Sequence, residues 1–68
     1  MNKQTLEKIE RLRARVLESQ DINNKLYDKL VAELGLRPYS TDQDLLFEAV
    51  FNAPIQSDFE RIVQNIKL

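Results

Sequence analysis

Residues 42–54 read DQDLLFEAVFNAP, and the reading of this stretch decides the fold. At helical spacing Leu45 and Ala49 lie together, with Leu46 and Val50 about 100° further round and Phe47 and Phe51 roughly another 100° on. Only Gln43, Asp44, Glu48 and Asn52 interrupt the ring. A surface helix buries one stripe and wets the remainder. A helix that is apolar on three sides needs neighbours on three sides. Either it stands at the centre of a bundle, or one stripe meets another chain. The second reading selects Phe47 and Phe51 as the outward pair, since aromatic side chains are enriched in interface cores.

The flanking sequence supplies the other helices. A first helix is expected from about Thr5 to Ser19, because Leu6, Ile9, Leu12, Val16 and Leu17 fall within an arc of roughly 140°. Asp21 reads as a cap or break before a second helix, Ile22 to Leu34, striped by Ile22, Leu26, Leu30 and Leu34 and widened by Tyr27 and Val31. Gly35 stands where a helix C-terminus wants a left-handed residue. In the connector LRPYST (36–41), Pro38 forbids a continuing helix. Ser40 or Thr41 then caps a third helix over about 42–52, whose first-turn Asp42 and Asp44 suit its dipole. Pro54 closes it. Ser57-Asp58-Phe59-Glu60 has the form of a capping box for a fourth helix at about 58–67, with Ile55, Phe59, Ile62, Val63 and Ile66 on its buried face. Such a cap implies that Ser57→Ala costs about 1 kcal/mol. The expected fold is all-α: one domain, residues 1–68, a small three- or four-helix bundle that dimerises.

Size is the reason to expect dimerisation. A chain of 68 residues hides only about 60% of the surface its unfolded form exposes. The usual supplements are disulfides, a structural metal or oligomerisation. Cysteine and histidine are both absent, which leaves oligomerisation, and no metal or other cofactor is expected. At 43% apolar and 31% charged residues the chain is too apolar to remain disordered. MNKQTLEKIERLRARV has no apolar signal-peptide core and no apolar run reaches 18 residues, so the cytoplasm, without membrane contact, is the expected place.

The same inventory argues against catalysis. The usual general base, thiol nucleophile and imidazole ligand are missing. Ser19, Ser40, Thr41 and Ser57 fall at helix boundaries, where capping explains them. A single glycine cannot build a glycine-rich phosphate loop, and neither Asp42 with Asp44 nor Asp58 with Glu60 has calcium-loop spacing.

Charge gives an alternative. Residues 1–37 carry eight Lys and Arg against six Asp and Glu, whereas residues 38–68 carry two against five. Lys8, Arg11 and Arg15 share one face of the first helix, a modest patch for phosphate. A helix-turn-helix is rejected: the connector is too long, and DQDLLFEAVFN holds three acidic residues and no cation. Arg13 is different, since it falls within about 20° of Leu6, inside the apolar stripe. It is expected either to lay its stem along the core edge or to pair across an interface with Glu48 or Asp44. Leu6, Ile9, Arg13, Val16 and Gln20 also fit a short heptad seam with a symmetry mate. The expectation is therefore a non-enzymatic helical interaction module. It is read as a small regulatory, inhibitor or adaptor protein, a homodimer with Phe47, Phe51 and Arg13 at its interface and another protein as partner. Weak nucleic-acid binding through Lys8, Arg11 and Arg15 is the alternative.

Overall fold

A computed structural model describes residues 2–19 and 24–67. Four helices follow in order, α1 (Lys3–Ser19), α2 (Asn24–Leu34), α3 (Thr41–Phe51) and α4 (Gln56–Gln64), and no strand occurs among the described residues. The radius of gyration, 10.8 Å, matches the ~11 Å of a closely packed chain of this length.

Local chemistry sets the helix ends. α1 begins at Lys3, two residues before the spacing suggests, because Asn2 caps it: its Oδ1 accepts the Thr5 N–H at 2.8 Å. The expected cap at Asp21, with Gln20 and Ile22, lies outside the described residues. Gly35 ends α2 at φ +68°, its N–H donating to the Ala32 carbonyl and that of Leu36 to the Val31 carbonyl, so two of the last four carbonyls of the helix are satisfied. Ser40 is the cap of α3, its Oγ accepting the Gln43 N–H at 3.1 Å. Asp42 does more than face the helix dipole. Its Oδ1 accepts the Lys67 N–H at 3.2 Å and ties the end of the chain to the start of α3.

The fourth helix departs from expectation. Its cap position is Ile55, extended at φ −87° and ψ 126° after Pro54, and Ser57 lies inside the first turn with no capping hydrogen bond. The capping box therefore does not form. Ile55 is exposed and not on the buried stripe, which Phe59, Val63 and Ile66 carry instead.

α3 packs against α1 and α4, and α1 packs against α2. Tyr27 of α2 closes a third side of α3, its ring 5.7 Å from that of Phe47 and 5.3 Å from that of Phe51. The all-round apolar helix is thus the central one. Leu46, Ala49 and Val50 are buried with Ile9, Leu12, Leu30, Ala53 and Phe59.

Arg13 is buried inside this core at 8% exposure. Its Nε–H donates to the Ala53 carbonyl at 2.9 Å, Nη1 to Gln56 Oε1 at 2.9 Å and Nη2 to the Pro54 carbonyl at 3.1 Å. The guanidinium carbon stands 4.4 Å from the centre of the Phe59 ring, a cation–π contact. This corrects the expected interface role: the side chain is committed within its own chain and pairs with neither Glu48 nor Asp44. The heptad seam fails for the same reason, since Ile9 and Arg13 already face the interior.

Arg13→Lys keeps the charge and loses the fork that spans two carbonyls. It should cost about 2 kcal/mol, read as a lower urea midpoint, because buried acceptors lose their donors. Ser40→Ala should cost about 1 kcal/mol, whereas Ser57→Ala should stay within about 0.5 kcal/mol. Equal losses at the two serines would contradict the helix boundaries described.

Candidate functional site

Among the surface features of the described residues, two combine apolar side chains with one sign of charge, and both involve α2. The first is aromatic. Phe47 and Phe51 lie one turn apart on α3 with ring centres 4.7 Å apart, and Tyr27 packs on both. Phe51 is half-buried against the core, but Phe47 remains 43% exposed. Beside it a shallow pocket of about 350 Å³ is lined by Tyr27, Asp28, Tyr39, Gln43, Asp44 and Phe47. The pocket is both aromatic and acidic.

Tyr39 is the residue that sequence reading missed. It is 96% exposed and takes φ +60°, a region that bulky side chains avoid. The reason is local. Ser40 N–H donates to the Arg37 carbonyl at 3.3 Å, closing a turn with Pro38 second and Tyr39 third. A type II turn needs positive φ at its third position, where glycine or asparagine is usual. Gln43 holds the strained residue, its Oε1 accepting the Tyr39 N–H at 2.7 Å. The motif R-P-Y-S signals a turn, since proline suits its second position, but proline there allows type I as well as type II, so the left-handed Tyr39 is not readable from it.

Gln43 also accepts, through its carbonyl, the Tyr27 hydroxyl at 3.2 Å. Burial pushes the Tyr27 phenol above its ordinary value of 10.0, and the nearby carboxylates Asp28 and Asp44 add to the shift. The aromatic feature is therefore anchored from below by a protonated phenol and framed by two negative charges.

The second feature is a groove of about 250 Å³ between α1 and α2. Lys8, Arg11 and Arg15, which the sequence places on one helix face, line it together, and Lys29 joins them from α2. Leu12, Leu26 and Leu30 form its apolar part. Among the described residues lining it Glu33 is the one acid, and its 3.2 Å ion pair with Lys8 is exposed on both sides, so water screens it and little stability follows.

Among the described residues no three carboxylates gather as a metal site requires, and no helix is long and apolar enough to cross a membrane. No protein-family model, curated protein or solved structure matches the chain, so the functional reading rests on its residues.

Tyr39→Gly should leave stability unchanged or raise it by up to about 1 kcal/mol, since left-handed strain of that order is relieved and little packing is lost. A clear loss would mean that the ring supports the fold. Alkali gives a second check. With its folded value raised, Tyr27 contributes stability that is complete below pH 10 and falls as pH rises beyond it, since the unfolded chain ionises first. Chemical unfolding from pH 8 to 11 should show that decline, reduced in Tyr27→Phe.

Proposed function

We propose that this chain is a non-enzymatic helical protein–protein interaction module that works as a homodimer through the aromatic face of α3. Phe47 carries the reading. In a core this small an aromatic ring left 43% exposed over two others is surface that a second chain can cover. Phe51 supports it from below, Tyr39 extends the face, and Arg13 takes no part. A regulatory, inhibitor or adaptor role suits such a module, because the chain offers surface and shape and has neither histidine nor cysteine. A cytoplasmic setting is part of the same proposal.

A second reading has its own observation. Lys29 joins Lys8, Arg11 and Arg15 at the α1–α2 groove, a cluster able to meet a few phosphates. The net charge of −1 and the acidic second half of the sequence count against it.

Light scattering at micromolar concentration should give about twice the 8.0 kDa chain mass. Phe47→Ser should give a monomer with unchanged helical circular dichroism, since that ring lies outside the buried core cluster. A wild-type chain that stays monomeric would remove the dimer. Binding to duplex DNA at about 0.15 M salt should be no tighter than the ~10⁻⁴ to 10⁻⁶ M of non-specific contact. A nanomolar, sequence-specific complex would reverse the order of the two readings.

A further inference from the structure

The aromatic face and the basic groove both carry apolar side chains and are opposite in charge. One exposes the Phe47 and Tyr39 rings around a shallow pocket whose lining includes the acidic Asp28 and Asp44. The other is a hollow with an apolar lining of Leu12, Leu26 and Leu30, rimmed by cations that include Arg11 and Lys29. We infer that the occupant of each groove is the aromatic, acidic face of a second copy of this chain. The inference rests on the homodimer reading and specifies its contact.

Three observations support this over a pairing of Phe47 with its own symmetry mate. A like-with-like contact sets Asp28 and Asp44 against their copies, whereas the groove supplies opposite charge. The exposed part of Phe47 with Tyr39 is also a small patch beside the ~1,200–2,000 Å² that specific interfaces bury. Using face and groove together enlarges the contact. Finally, α2 contributes to both features, with Tyr27 and Asp28 on one flank and Leu26, Lys29 and Leu30 on the other. A two-fold axis running alongside α2 therefore brings the face of each copy to the groove of the other, and the assembly closes as a dimer.

The test separates the contact from the dimer itself. Arg11→Glu with Lys29→Glu changes exposed groove positions far from Phe47, and Arg11→Gln with Lys29→Gln is the milder form should charge reversal disturb folding. Wild-type dimerisation should weaken at least tenfold between 0.05 and 1 M sodium chloride, values that carry the Debye length from above ~10 Å to ~3 Å. The groove variant should be monomeric by light scattering and helical by circular dichroism, as should Phe47→Ser. Mixing the two should give more 1:1 dimer, of about twice 8.0 kDa, than either variant alone, because one of its two contacts joins a sound groove to a sound face. A groove variant that dimerises as well as wild type, or a mixture that stays monomeric, overturns the inference and leaves the homodimer standing. A wild-type chain monomeric at every concentration overturns both. So does a monomer whose groove binds a short oligonucleotide, since phosphate then occupies it.

Discussion

The fold depends on one buried cation. Arg13 reaches from the middle of α1 to the loop between α3 and α4 and donates to two successive carbonyls there, those of Ala53 and Pro54. Proline offers the chain an acceptor and no donor, and the loop just past a helix C-terminus is rich in carbonyls without partners. A planar fork of N–H donors satisfies such a loop where an ammonium would not. Gln56 takes the third donor and Phe59 lies beneath the guanidinium, so the positive charge is enclosed without a carboxylate. The loop and the first turn of α4 are thereby held against α1. No buried side-chain nitrogen or oxygen among the described residues lacks a partner.

With α4 held, α3 has nowhere to be but the middle. Leu46, Ala49 and Val50 are buried, and Tyr27 covers Phe51 and one side of Phe47. The apolar circumference of α3 is thus mostly accounted for inside one chain. What it leaves over is Phe47, just past the middle of the helix. The pocket beside it is also lined by the strained Tyr39 of the connector, by Asp28 of α2 and by Asp44 from the first turn of α3. Strain of this kind persists only where its surroundings enforce it, and here the Pro38 turn and Gln43 do so.

The surface chemistry is divided by α2. Its Tyr27 and Asp28 belong to the aromatic, acidic side, while Lys29 joins the cations of α1 on the other. A net charge of −1 conceals this division, because the two sets nearly cancel in the sum and are separated in space. Long-range attraction between unlike chains is weak for such a molecule, but close contact between complementary faces is not.

The sequence by itself determined the helical segments, the Gly35 terminus, a cap at Ser40 or Thr41 and the common face of Lys8, Arg11 and Arg15. These follow from periodicity and from backbone rules acting over a few residues. It also marked Arg13 as a cation inside an apolar stripe without telling what would meet it. Only the tertiary structure decided that its partners are carbonyls some forty residues away, that Lys29 joins the basic groove, and that α3 is central with Phe47 outermost. It also moved the start of α4 from the serine motif to Ile55. Ser57 satisfies the motif, yet the extended backbone of Ile55 after Pro54 starts the helix sooner, and Gln56, at its first position, is bonded to Arg13. A local pattern specifies which hydrogen bonds are possible; the packing of distant segments selects the ones that form, because burial penalises any polar group left without one.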